Sequence, residues 1–311
     1  MRIRLLAKRV LTLFLGVIVL AGCFGKKESR IVIDRAGIRV VIDRPINRII
    51  STAPSNTEII AYLGLADKLV AIDRHSVNVR APAECPELPD GLPLLDFFYP
   101  DAEVILGLEP DVIIASGHNA TGSGEDPFRL LREAGIPVVY IPMSKSIDDI
   151  YSDIAFIADL LQVQQKGEDV VNSMKIQIEE IAQRTTQIEN QATVYFEIST
   201  APEMFTFGRD SFLDDMISVI GARNIFANDN WIVSPGAETI IERNPDVILT
   251  NVNYIDDPIG EIKRRPGFEH VNAIINNRVY SIDTDSSVRP SPGIILALRQ
   301  MSYAVYPHDQ Q

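Results

Sequence analysis

Ser116 and His118, two residues apart in SGHNATGSG, are the nearest thing to a nucleophile beside a base in this sequence. Hydrolysis asks for more: a third group to orient the imidazole and a turn that presents the hydroxyl. No G-x-S-x-G elbow, P-loop or dinucleotide fingerprint accompanies the pair, so no catalytic residue is assigned and no cofactor is expected. Zinc or manganese chemistry fares no better. The chain has 4 His, widely scattered and without paired spacing, whereas such a site needs three or four converging ligands. What does recur is a carboxylate in a fixed setting. EVILGLEPDVIIAS opens at Glu103, and ETIIERNPDVILTN opens at Glu238 on the same plan.

Each copy reads as a helix stopped by Pro, an Asp in the turn, and Val-Ile starting a buried strand. Favourable turn chemistry alone explains the Pro-Asp, which any α/β chain could use twice. It leaves the shared Glu unexplained. Around the first copy, RIVIDRAGIRVVIDRP alternates about Gly37 as a β-hairpin does, and RIIS reads as a strand. TAPSNTEIIAYLG follows as a helix, with Ser55 and Glu58 spaced as a capping box and Gly64 as its stop. KLVAID, VIIAS and IPVVYIP are further strands; residues 101 to 109 and FRLLREAG are helices between them. Strands alternating with helices predict a parallel, doubly wound sheet.

From Ile147 to Ile188 no strand signal appears, and Val170, Met174, Ile178 and Ile181 form a helical stripe. The alternation then restarts through TVYFEIS, SFLDDMISVIG, PDVILTN and RVYSID to a final helix, PGIILALRQMSYAVY. The predicted fold class is therefore α/β: two doubly wound lobes joined by one long bridging helix. The expected boundaries are 30–146 for the first lobe, 147–188 for the helical bridge and 189–311 for the second lobe.

Residues 1–22 are set apart. MRIRLLAKRVLTLFLGVIVLAGC has a basic start and an apolar run too short for a comfortable membrane span, the pattern of an export signal. Its end, Leu20-Ala21-Gly22-Cys23, resembles the bacterial lipobox, which implies a lipid on Cys23 and a tether over 23–29. Loss of Arg2, Arg4, Lys8 and Arg9 would take the net charge from −13 to about −17. An acidic chain without a basic cluster beyond its N-terminus argues against a nucleic-acid partner. Cys85, in PAECPELP, is then the remaining thiol, so the mature fold relies on no internal disulfide.

The order of features is similar to the ABC-importer substrate-binding lipoproteins that capture iron–siderophore complexes, haem or vitamin B12. The resemblance rests on the hairpin with Gly37, RIISTAPSNTEIIAYLG, PDVIIAS, GRDSFLDDMISVIGARNIF, ERNPDVILTN and RVYSID with the closing helix. It spans essentially the whole mature chain, and GRDSFLDDMISVIGARNIF is its most specific part. The resemblance implies a ligand cleft between two lobes and small hinge motion about the bridge. It also implies one Glu per lobe, here Glu103 and Glu238, docking on Arg pockets of a permease dimer served by its ATPase subunits. It further implies an extracytoplasmic monomer anchored to the cell membrane by its lipid, in the periplasm or on the outer face of the cytoplasmic membrane.

Ligands in doubly wound sheets lie beyond the carboxyl ends of the strands. The aromatic residues in those loops suit a flat or chelated ligand. Phe98, Tyr99, Trp231 and Tyr254 are the candidates, with Tyr99 and Trp231 favoured by their polar surroundings. His75, His118, Tyr99 and Tyr254 could reach a haem iron, although no residue is assigned as a metal ligand. Arg289 is the one basic residue late in the chain placed for the cleft. The scarcity of loop Lys and Arg tilts the reading towards a hydroxamate-type or weakly charged iron(III) chelate, or a corrinoid, over a catecholate. A zinc or manganese receptor and a surface adhesin rank below these readings.

Overall fold

The computed structural model describes residues 29–79, 87–117, 126–185, 188 and 190–307. Cys23, Cys85, His118 and the export signal lie outside the described residues.

Strands β1 (Arg30–Ile33) and β2 (Arg39–Ile42) form an antiparallel hairpin. Gly37 closes its turn at φ 82°, a left-handed value that costs glycine little. The first lobe is a parallel sheet in the order β5-β4-β3-β6-β7. Its strands are β3 (Ile49–Ser51), β4 (Leu69–Asp73), β5 (Leu94–Leu95), β6 (Val112–Ser116) and β7 (Val138–Ile141). Its helices are α1 (Pro54–Tyr62), α2 (Ala102–Gly107) and α3 (Arg129–Glu133). Helices α4 (Ile147–Leu160) and α5 (Gln164–Arg184) come next. At 1.5 Å per residue, α5 alone runs about 30 Å.

The second lobe is a parallel sheet in the order β10-β8-β12-β13, with strands β8 (Thr193–Glu197), β10 (Arg223–Asn224), β12 (Val247–Thr250) and β13 (Val279–Ser281). A separate antiparallel ribbon pairs β9 (Thr206–Phe207) with β11 (Ile232–Val233). Its helices are α6 (Phe212–Val219), α7 (Ala237–Arg243), α8 (Pro258–Lys263), α9 (Asn272–Ile275), α10 (Thr284–Val288) and α11 (Ile294–Val305).

Strand periodicity explains the layering. Val112 and Ile114 of β6, and Val247 and Leu249 of β12, face one shared core with α4, α5, α6 and α11. Ile113 and Ala115 turn the other way onto a second core with α2 and α3. Ile248 does the same in the second lobe, onto α7, α8 and α9. The bridge is thus part of the inner layer, where Met174 and Ile181 of the expected stripe are buried.

One local expectation fails. Ser55 does not cap α1: Pro54 takes the first turn, Ala53 is the N-cap and offers no side-chain hydrogen bond. Proline's fixed φ suits that first position, which pulls the helix start ahead of Ser55. Glu58 is consequently buried inside the helix instead of bonding back to its start.

Candidate ligand cleft

The loops after the first-lobe strands and the segment after α10 enclose a cavity of about 530 Å³. That is within the usual range for sites that hold small molecules and cofactors. β3 delivers the N-terminal turn of α1 to it, with Ser55 and Asn56. β4 delivers a 3₁₀ turn, Arg74–Ser76, in which the Asp73 carboxylate accepts the His75 N–H at 2.8 Å. The ring of His75 meets Phe97 edge-on at 5.6 Å, and Phe97 meets Phe98 at 4.9 Å, so the three form one aromatic wall.

Arg289 closes the cavity from the second lobe. It is only 8% exposed, pairs with Asp285 at 2.8 Å, and donates to the His75 carbonyl at 3.2 Å. The last contact ties the second-lobe segment directly to the aromatic wall. The other charges of the lining also have protein partners. Arg74 lies 3.4 Å from Asp96, and Asp153 of α4 takes Arg35 at 2.6 Å and the Ser144 hydroxyl at 2.8 Å. Burial pushes the Asp153 carboxyl up to about 6, against the lowering effect of Arg35 and Ser144.

Behind Arg289 the lobes meet a second time. The Glu58 carboxyl is hydrogen-bonded by Ser291 and by Gly293 at the start of α11, a helix whose own N-cap supplies no side chain. A first-lobe side chain therefore caps a second-lobe helix. Burial raises the Glu58 pKa to about 7, and nearby Asp285 adds to the rise, while Ser291, Arg289 and Gly293 oppose it. A Cβ on Gly293 would meet the Glu58 carboxylate, so a larger residue there would make that side chain move.

Of the residues singled out in the sequence, the structure gathers His75, Phe98 and Arg289 in this cavity. Tyr99 is adjacent in the chain but 70% exposed and does not line it. Trp231 and Tyr254 do not line it either. Trp231 holds a left-handed φ of 49° on the β9–β11 ribbon, its ring 5.9 Å from Phe207. The Tyr254 hydroxyl accepts the Thr200 N–H at 3.0 Å. Glu103 and Glu238 are exposed at the second position of α2 and of α7.

Sequence reasoning missed Arg74, Asp153 and Asp285, and read Glu58 as a local helix cap and not as a contact between lobes. Asp153 left a readable signal, because it lies on the buried stripe of Ile150, Ile154 and Ile157, where an acid needs a partner. Arg74 and Asp285 left none.

A family model described as periplasmic binding protein matches residues 49–286. An uncharacterized ABC transporter substrate-binding lipoprotein of Bacillus subtilis, YvrC, is 28% identical over 310 residues, 95% of each chain. The vitamin B12-binding protein of Vibrio cholerae is 28% identical over 257 residues, covering 81% of this chain and 87% of its own. Among solved structures, a possible iron-binding periplasmic solute-binding protein from Staphylococcus epidermidis superposes with a TM-score of 0.74 at 29% identity. It covers 85% of this chain and 100% of its own.

Proposed function

The chain belongs to the periplasmic binding protein family, and from that premise we propose that it is the lipid-anchored receptor of an ABC importer, capturing a weakly charged iron(III) chelate in the cleft behind Phe98 and His75. The observation that carries this reading is the lining itself. An aromatic wall faces a cavity whose cations among the described residues, Arg74 and Arg289, each already have an acidic partner. Such a site rewards apolar area and hydrogen bonding and offers little to a highly anionic complex. Cobalamin is the second reading, favoured by the vitamin B12-binding relatives. Delivery proceeds by docking on a permease dimer through Glu103 and Glu238, with Cys23 carrying the lipid.

The test is calorimetric titration of the domain from Lys26 onward with a ferric hydroxamate, a ferric catecholate, haemin, cyanocobalamin and zinc. Saturable binding of the hydroxamate or the corrinoid is expected, weakened about tenfold by Phe98→Ala. Preference for the catecholate would reverse the charge argument, and silence across the panel would remove the receptor reading.

A further inference from the structure

The β1–β2 hairpin carries apolar residues on both faces. Inward, Val32, Val40 and Ile42 join the shared core. Outward, Ile31 stands directly across from Val41, each 50% exposed, and Ile33, 68% exposed, stands across from Arg39. A half-buried hairpin normally turns polar residues to water, so an outer face of three β-branched aliphatics and one arginine calls for a partner. The face is also held rigidly. Arg30 reaches the Leu160 carbonyl at 2.5 Å and the Asp159 carbonyl at 2.8 Å, and Arg35 pairs with Asp153 at 2.6 Å. Asp34 accepts the Ile38 N–H at 2.7 Å across the turn and the Tyr140 N–H of β7 at 2.9 Å.

Two facts say what covers it. The hairpin starts at Arg30, so a chain anchored at Cys23 keeps it within about 25 Å of the lipid even when the tether is fully extended. Among the described residues, Arg30, Arg35 and Arg44 are taken up by Asp159, by Asp149 and Asp153, and by Asp43, which leaves Arg39 on the outer face as the hairpin arginine without an ion pair. The tether before it adds Lys26 and Lys27 against Glu28, on a chain of net charge −13. An anionic surface therefore repels most of this molecule and attracts this end of it. We propose that the outer face of the hairpin, with Ile31, Ile33, Val41 and Arg39, lies on the anionic phospholipid surface that holds the anchor, fixing the orientation of the lobes above the membrane. This rests on the lipid-anchor reading of Cys23.

The experiment uses the full mature chain, purified with its lipid and reconstituted into vesicles of phosphatidylglycerol and phosphatidylcholine. An environment-sensitive fluorophore is placed through Ile33→Cys in a Cys85→Ser background, with Tyr303→Cys, at an exposed position of α11, as the comparison site. Position 33 should shift to the blue and be quenched by brominated acyl chains, as for a face seated roughly 5–10 Å into the headgroup boundary. Position 303 should do neither. Ile31→Ser with Val41→Ser, or vesicles of phosphatidylcholine alone, should reduce the quenching. Aqueous emission at position 33 on a chain whose N-terminal peptide carries lipid overturns the membrane contact and leaves the anchor standing. An N-terminal peptide without lipid overturns both. A blue shift that appears without vesicles and grows with protein concentration overturns the proposal in favour of a second copy on this face.

Discussion

The two repeated stretches, α2 into β6 and α7 into β12, can be compared atom by atom, and they agree where the backbone turns. In the first, the Asp111 carboxylate accepts the N–H groups of Asn47 at 2.8 Å and Arg48 at 3.0 Å, just ahead of β3. In the second, Asp246 accepts the N–H of Thr193 at 2.9 Å, at the start of β8. Both turn residues return the bond, Asp111 N–H to the Arg48 carbonyl and Asp246 N–H to that of Thr193. The Asp is a clamp that fixes where the neighbouring strand begins. Both lobes also bring the chain into the Pro through a left-handed residue, Glu109 at φ 46° and Asn244 at φ 44°.

They differ in what surrounds that frame. Asp101 caps α2 with its side chain, whereas Gly236 gives α7 none. The cavity is less symmetric still, lined almost wholly by the first lobe, with the second contributing Asp285 and Val288 to Pro290. Repetition survives on the outer layers, where Glu103 and Glu238 stand, and is lost at the strand ends that form the cleft. If Glu103 and Glu238 dock on a two-fold partner as proposed, that partner constrains the outside of both lobes alike, while one asymmetric ligand leaves the inside free to diverge.

The sharpest way to break this comparison is charge reversal. Glu103→Arg together with Glu238→Arg should reduce uptake by about 100-fold or more with ligand affinity intact, as for a loss of charge-paired docking. Transport assays beside calorimetry check it, and lost affinity would move both residues into the ligand site. Next come the clamps. Asp111→Ala and Asp246→Ala should each cost about 2–3 kcal/mol in urea unfolding, the scale of hydrogen bonds to a charged acceptor. The Asp246 loss should vanish in acid. Burial works to raise that carboxyl, but Thr193, Asn272 and Arg278 hold it below the usual range, so its contribution is present above the ordinary carboxylate pKa and lost as pH falls through the lowered value.

Glu58→Gln probes the contact between lobes. The raised pKa means the native state favours the protonated form, so that stabilisation is complete below the ordinary Glu value and lost as pH rises through about 7. The amide should flatten the pH dependence of unfolding between the two values and stabilise by on the order of 2 kcal/mol at pH 8. Smallest is the strained turn. A non-glycine residue with left-handed φ pays roughly 1 kcal/mol, and asparagine tolerates that region better than glutamate. Glu109→Asn should therefore raise stability by up to about 1 kcal/mol, whereas Asn244→Glu should lower it by a similar amount. Equal, null effects in both lobes would mean the surrounding turn dictates the conformation regardless of residue.

Much of this frame was legible without coordinates. Alternating periods, the Gly37 hairpin, the Pro-Asp turns and the helical stretch through Met174 are written in neighbours a few residues apart, where sterics and local hydrogen bonds act. Glu103 and Glu238 stand out by repetition, and the docking role proposed for them comes from the family resemblance. The capping box at Ser55 and Glu58 shows the limit: the spacing was right, yet Pro54 started the helix earlier and Glu58 went to a partner on another lobe. Only the tertiary structure decided that Arg289 reaches the His75 carbonyl across 214 residues of sequence, that Arg35 pairs with Asp153, and that Trp231 and Tyr254 leave the cavity to Phe97 and Phe98. The sequence determines each element through short-range forces. Which strand ends and loops come to face one another follows from sheet order and from two lobes burying one common core, and no local pattern encodes that.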